Sequence, residues 1–451
     1  MQANKKAVKN IARISLCLAA LGASSLGADY TFGGTAEAFG KFGFDGGKVS
    51  ESANGGNGRY PNNSYGALFG TLELDIKGAG GMSAGLGGAL NTLVYDSSTR
   101  QGGEATGGDY IGYYPGFYGH KEATNHGYIL HNTYVAYDGE YLGIKAGRYE
   151  SEGKDWFSDW NQGAEGYIKL GDAKLWGFYS GARAMVSSSW FWDYTRFAVA
   201  GHKLFAAGLD VNGLGELAPG FELSVYYYGV PELYNAPGVK IGYDSNPSFE
   251  GSGFRSQTRV IALFPKNASN PKPFKGEADY TEYIAFGLPL REGDAQNTQS
   301  LLLKQRFDVD NHYFGAMAYK NFGNANAWIG TYGDPFGSVD IWTGSTYDRG
   351  AALSDMVGRD AMSGIGFVGG VYGGFEWELL GRITRSPRSD EESLALMLTQ
   401  SIREDLSVKL KLEYFNDVTK AGYSVGYDTP VLTQSQRNDR SHAMAWLSHQ
   451  F

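Results

Sequence analysis

Residues 406–414 alternate strictly. Leu406, Val408, Leu410, Leu412 and Tyr414 share one parity, and Ser407, Lys409, Lys411 and Glu413 share the other. A period of two puts successive side chains on opposite faces of a strand, so this stretch predicts a β-strand with one apolar face. The preceding stretch repeats the pattern, with Leu394, Leu396, Leu398 and Ile402 against Ser393, Ala395, Thr399 and Ser401. Upstream, Phe375, Trp377, Leu379 and Ile383 oppose Glu376, Glu378, Arg382 and Thr384. Leu72, Leu74 and Ile76 oppose Thr71, Glu73, Asp75 and Lys77.

The connections have their own rhythm. Short ones at Gly78–Gly81, Asp138–Gly139, Gly171–Asp172, Asn212–Pro219, Asp308–Asn311, Gly373–Gly374 and Arg403–Asp405 suit tight turns. Between them lie longer polar segments at 45–65, 94–127, 150–163, 186–196, 230–252, 322–362 and 416–440. Alternating short turns and long loops is the rhythm of a transmembrane antiparallel up-and-down β-barrel. This reading gives about 18 strands, with both termini on the short-turn side. It assigns 265–279 to a short-side turn and 289–297 to an outer loop; another reading of that region gives 16.

Composition then separates membrane from water. The chain has 66 Gly, 31 Tyr, 25 Phe and 9 Trp among 451 residues, with only 13 Pro. Barrel strands alternate and so never build a hydropathy peak, which fits a mean hydropathy of −0.33. The single long apolar run lies at the start. Lys5, Lys6, Lys9 and Arg13 precede a small apolar stretch from Ile14 to Ala28. That arrangement predicts a cleaved signal peptide over 1–28 and a barrel over 29–451. Cys17 is the only cysteine and falls in the signal, so the exported part has neither disulfides nor cysteine metal ligands. Removing the four cations of the signal takes the net charge from −9 to about −13.

The start "DYTFGGTAEAFGKFGF" and the end "AWLSHQF" resemble the Hof-type outer-membrane proteins of Helicobacter and its relatives. More distantly the layout resembles OprD-like porins, in which a Gly-Arg pair precedes the third outer loop. Here that pair is Gly147-Arg148. The resemblance implies that the third and seventh loops, 150–163 and 322–362, fold inward and narrow a channel. Arg148 shares the lipid-facing parity of Leu142, Ile144 and Ala146, so it needs either a bulge or a place at the outer rim.

Pore-lining candidates follow from inward parity: Glu37, Lys41, Glu73, Asp75, Lys145, Glu376, Glu378, Arg382, Lys409, Lys411 and Glu413, with Arg148 from the resemblance. Both signs occur, so the lumen is expected to carry a transverse field, and the acidic excess favours cations mildly. Constriction candidates are Glu150, Glu152, Lys154, Asp155 and Asp159, with Trp156 and Trp160 packing the loop against the wall. The terminal Phe451 is expected in the inner aromatic girdle and, by the resemblance, as an assembly signal read by the barrel-insertion machinery. His449 departs from that signal's usual pattern.

Other motifs carry less. "GIGFVG" at 364–369 fits a dinucleotide pattern but is followed by strand, not helix, so no nucleotide or nucleic-acid partner is expected. His120, His126 and His131 have no metal-site spacing. No G-x-S-x-G elbow marks a nucleophile. The expectation is a non-enzymatic porin of the cell outer membrane without cofactor. It passes small hydrophilic solutes or ions and meets outer-membrane lipid and lipopolysaccharide. Oligomeric state stays open, a homo-oligomer included. The alternative is an adhesin that binds a host surface ligand through its long outer loops, of which the Tyr- and Gly-rich 94–127 is the best candidate.

Overall fold

A computed structural model describes residues 29–45, 62, 64–97, 127–195, 203–213, 215, 218–231, 234–267, 282–285, 288–291, 298–323, 333, 335–339, 354–425 and 430–451. Residues 1–28, expected to be a signal peptide, lie outside the described residues. The alternating stretches all become long antiparallel strands: β1 (Asp29–Gly43), β2 (Tyr65–Lys77), β3 (Met82–Asp96), β4 (Tyr128–Asp138), β5 (Leu142–Glu150), β6 (Trp160–Leu170), β7 (Ala173–Val186), β8 (Leu204–Asn212) and β9 (Phe221–Val230). They continue as β10 (Tyr234–Asp244), β11 (Phe254–Leu263), β12 (Thr298–Val309), β13 (His312–Gly323), β14 (Met362–Tyr372), β15 (Phe375–Arg385), β16 (Ser389–Arg403), β17 (Leu406–Thr419) and β18 (His442–Gln450). Each pairs with the next in sequence, and β18 pairs with β1 from Thr35↔Gln450 to Gly43↔His442. The result is a closed 18-stranded antiparallel barrel, in which closure removes the sheet edges.

The alternation is turned inside out relative to a water-soluble protein. Leu412 is 48% exposed and Leu394 50%, whereas Lys411 and Glu413 are buried at 7% and 5%. Apolar side chains therefore form the outer band and charged ones face the lumen, as lipid outside and water inside require. Aromatic rings mark both borders of the band: Tyr30, Phe32, Tyr243, Phe254 and Phe451 at the inner end, and Phe42, Tyr128, Phe205 and Phe322 at the outer end, all exposed.

One region departs from the sequence reading. The range 230–252 is not a single outer loop, because β10 lies inside it. The outer connection shrinks to 231–233, and 245–253 becomes an inner turn. The chain leaves β11 and enters β12 at the outer end, so their connection is an outer one; of the expected inner turn 265–279 only 265–267 lies within the described residues, and of the expected outer loop 289–297 only 289–291. The count stays at 18 because one strand is gained at β10 and the one placed near 280–288 is lost. Pro237 hid β10, since proline argues against a central strand. The structure tolerates it where the pairing of β10 breaks between Leu263 and Lys266, and its carbonyl still accepts from Phe264 N–H at 2.9 Å. Within 264–297, Glu282–Ala285 and Leu288–Arg291 pair with each other.

The seam between the ends is tight. Phe451 N–H donates to Gly34 O at 3.1 Å, and Gly34 N–H donates to Phe451 O at 2.9 Å. A Cβ on Gly34 would lie 2.2 Å from the Thr71 carbonyl and 2.9 Å from the Phe451 ring, so only glycine fits beneath that ring. Deleting Phe451 removes both bonds and the ring contact. The expected outcome is a lower yield of folded barrel, seen as loss of the fast-migrating band of unheated protein on a denaturing gel. An unchanged yield would show that closure does not depend on the last residue.

Candidate pore constriction

The nine residues between β5 and β6, 151–159, turn into the barrel. Two apolar side chains hold them there. Trp156 and Phe157 are each 1% exposed. Trp156 Nε1–H donates to the Tyr226 hydroxyl at 3.1 Å, and Phe157 packs on the Phe178 ring at 4.7 Å. Burying side chains of this size contributes on the order of 2–3 kcal/mol each. Gly153 and Asp159 bend the loop at φ 69° and 67°. Arg183 pairs with Asp159, and its Nε–H donates to Ser158 O at 3.1 Å. Lys154 pairs with Glu165 and lies over the Phe178 ring.

At the tip an ion-pair chain joins the loop to β9, β10 and β11. Asp155 lies 3.3 Å from Lys240 Nζ, which is 3.0 Å from Glu222; Glu222 meets Arg259 at 3.2 Å. Burial pushes the Asp155 carboxyl above its ordinary value, and the nearby Lys240 ammonium opposes that push.

Two further outer segments enter the mouth. A Cβ on Gly333 would lie 2.1 Å from Trp156 Cα, so Gly333 lies directly against the 151–159 loop. Phe336 is fully buried, edge-on to Tyr319 at 4.9 Å. The short 3-10 turn Asp355–Val357 then docks on the wall. Arg388 lies 2.7 Å from Asp355, and Arg382 is 2.5 Å from Glu391, which also accepts from Ser354. The second entrant is the segment 187–195, part of the expected outer loop 186–196. Tyr65 donates to Ser189 O, Asn91 to Ser187 O and Tyr194 to His131 O. Phe191 is fully buried, edge-on to Phe69.

The lining candidates divide into open and occupied groups. Glu37 shares the inward parity of Phe39 and Lys41 and is half-buried, while Glu376 is exposed. Lys409 lies over the Trp446 ring at 5.1 Å. Glu73 meets His131 at 2.8 Å, Asp75 accepts from Tyr134 at 2.9 Å, and Glu378 accepts from Tyr313 at 3.0 Å. Lys145 lies over the Tyr134 and Tyr149 rings. Lys411 and Glu413 pair at 2.7 Å, and like Arg382 they are enclosed rather than open to a passage. Lys41 is buried against Asn62. Arg148 spends its guanidinium on Gln162 at 2.8 Å, the Leu130 carbonyl at 2.9 Å and the Tyr194 ring. Gly147 beside it has φ 126°. Of the loop candidates, Glu152 is exposed and Glu150 ends β5.

The structure adds charges the sequence reading missed. Glu222, Asp244, Arg255, Arg259, Lys304 and Arg306 line a space of about 390 Å³ on β9 to β12. Arg255 lies 2.9 Å from Asp244 Oδ2, and Arg306 2.7 Å from Asp308. Lys304, Arg306 and Asp308 alternate with Leu303, Gln305 and Phe307, a signal that was legible. A second space, of about 580 Å³, is lined by Lys145, Glu152, Lys154, Glu165, Lys169, Lys174 and Asp210. Among the described residues no group of three His, Cys, Asp or Glu could hold a metal; His120 and His126 lie outside them.

The model of the family described as "Putative outer membrane protein" (HP_OMP_2) matches residues 15–451. The chain belongs to that family. It is thereby placed in the outer membrane, where the inverted barrel belongs. The fold is similar to OccAB1 of Acinetobacter baumannii, with a TM-score of 0.62 at 10% identity over 95% of this chain and 98% of that one. OccK9 (OpdG) of Pseudomonas aeruginosa gives 0.62 at 11% identity over 94% and 98%. A doubly substituted OccD1 (OprD) gives 0.59 at 10% over 95% and 97%. These match the OprD-like layout expected from the sequence. No curated protein matches the chain.

Replacing Lys240 by Met leaves Asp155 buried without its cation. The expected outcome is amide exchange at least about tenfold faster in 152–158, equivalent to ~1.4 kcal/mol, with the barrel melting temperature unchanged. Unchanged exchange would mean that the Trp156 and Phe157 contacts hold the loop alone.

Proposed function

We propose that the protein is a passive porin for small hydrophilic solutes or ions. The observation that carries this reading is the polar, charge-bearing face of a closed wall turned inward and narrowed by the 151–159 loop. In this reading no reaction is catalysed and no cofactor is used. The solute gradient drives flux, and the constriction sets size and charge preference.

The field in the lumen follows from topology. The acidic Glu37, Glu73 and Asp75 stand on β1 and β2, and Lys240, Arg255, Arg259, Lys304 and Arg306 stand on β10 to β12, beside Glu222, Asp244 and Asp308, which offset part of their charge. In a ring of 18 strands these groups are about half a circumference apart. A dipolar solute passing between them is oriented by the opposed charges beside the Asp155–Lys240 bridge. The lumen thereby selects by dipole as well as by net charge. Arg382, Lys411 and Glu413, which are enclosed, act as anchors of the mouth in this account, and Phe451 serves as the assembly signal.

Single-channel recording in a planar bilayer tests the proposal. Discrete conductance steps are expected, and Lys304→Glu with Lys409→Glu should shift the reversal potential in a salt gradient toward cations. A silent bilayer from folded protein would contradict the porin and favour the adhesin.

A further inference from the structure

The outer rim of β13 to β17 carries charge on the face that meets lipid. Strand register defines a continuous row there. Lys320 pairs with Met362, Met362 with Arg385, Arg385 with Asp390, Asp390 with Val418, and Val418 with Arg437. Lys420 joins it, 3.0 Å from Asp390. The parity is lipid-facing, because Met362, Ile383, Leu394 and Tyr414 on the same faces are 60%, 53%, 50% and 46% exposed. Among the described residues, other positions on this face of the outer rim are apolar or aromatic at Phe42, Val94, Tyr128 and Phe205 and carry single exposed cations at Lys203 and Lys266. Here four cations, Lys320, Arg385, Lys420 and Arg437, gather on neighbouring strands.

Each cation already has protein partners. Arg385 lies 2.9 Å from Glu392 and donates through Nη1 to the Thr384 and Glu391 carbonyls at 3.1 Å, yet stays 48% exposed; Lys420 donates to Ser386 O at 2.6 Å and stays 37% exposed; Lys320 donates to Asp360 O at 2.6 Å. Arg437 donates to Asn416 at 2.5 Å and to the Tyr414 hydroxyl at 3.2 Å, and remains exposed. A cation on the lipid face costs ~2–4 kcal/mol at the bilayer midplane and ~0–1 kcal/mol near the interface, so this row sits at headgroup level. Guanidinium groups bind phosphate with two parallel hydrogen bonds. Arg385 and Arg437 stand three strand spacings apart, roughly 14 Å, a separation suited to two phosphates on one disaccharide.

Directly below, the wall recedes. Ala318 pairs with Gly364, and Ala316 with Gly366, which pairs with Gly381. A Cβ on Gly364 or Gly366 would meet nothing within 4 Å. The glycines of the "GIGFVG" segment thus leave an open, shallow trough in the apolar band beneath the cations. Phosphates above and acyl chains below describe one kind of amphiphile.

We propose that this sector is a docking site for a phosphorylated glycolipid of the outer leaflet, with Arg385 and Arg437 holding its phosphates. The test uses the purified full-length protein in detergent and native mass spectrometry. The probes are diphosphorylated lipid A, its dephosphorylated counterpart and phosphatidylglycerol. Diphosphorylated lipid A is expected to bind at least tenfold more tightly than either of the others. Arg385→Ala with Arg437→Ala should abolish that preference, whereas Arg403→Ala at the inner turn should leave it intact. Equal binding of dephosphorylated lipid A would overturn the site, and so would equal binding of phosphatidylglycerol, which would indicate diffuse attraction. Wild-type binding by the double variant would overturn it as well. If that variant fails to fold, the three-lipid comparison on the unchanged protein still decides. Conductance of the variants, read separately, stays at the wild-type level because both residues face lipid.

Discussion

The backbone of this protein crosses a medium that offers it no hydrogen bonds. Every N–H and C=O at that depth must be satisfied within the chain, and for strands only a closed wall achieves this. The pairing of β18 with β1 therefore supports everything else. It explains why Gly34 lies flat beneath Phe451 and why the two ends of the chain meet. An open sheet with the same eighteen strands would expose two unpaired edges to lipid.

Closure also decides where charge can go. With hydrocarbon outside, the polar parity of every strand must turn inward, and the lumen fills with carboxylates, ammonium groups and guanidinium groups. Left alone these would repel and hydrate. Instead they are used as fasteners: Asp155 with Lys240 and Arg183 with Asp159 for the first inward loop, Asp355 with Arg388 for the returning 3-10 turn. Aromatic side chains supply the apolar half of each attachment, as Trp156 and Phe191 do. The outer segments thus fold into the mouth because the wall offers them both partners at once.

Much of this was legible in the chain. Strict alternation at Leu406–Tyr414 marked strand and face together, and the spacing of short turns gave closure with eighteen strands. The failure was local and physical. Pro237 and the glycines of β10 flatten its alternation, so the strand was absorbed into a loop and the following segment changed sides. The lumen charges of β9 to β12 were lost with it. Arg382, Lys411 and Glu413 were visible by parity, but their enclosure depends on which outer segments fold over them. The inward fold of 187–195 had no signal in one sequence, since it rests on Tyr65, Asn91 and His131 from distant strands.

The central claim is that the 151–159 loop stands inside a water-filled lumen whose wall faces lipid with its apolar parity. Cysteine accessibility during single-channel recording tests it most directly, because Cys17 is the only native cysteine. The account predicts that a charged thiol reagent reduces the current through Glu152→Cys and leaves Leu412→Cys unaffected. Block at the Leu412 position, with none at 152, would contradict it.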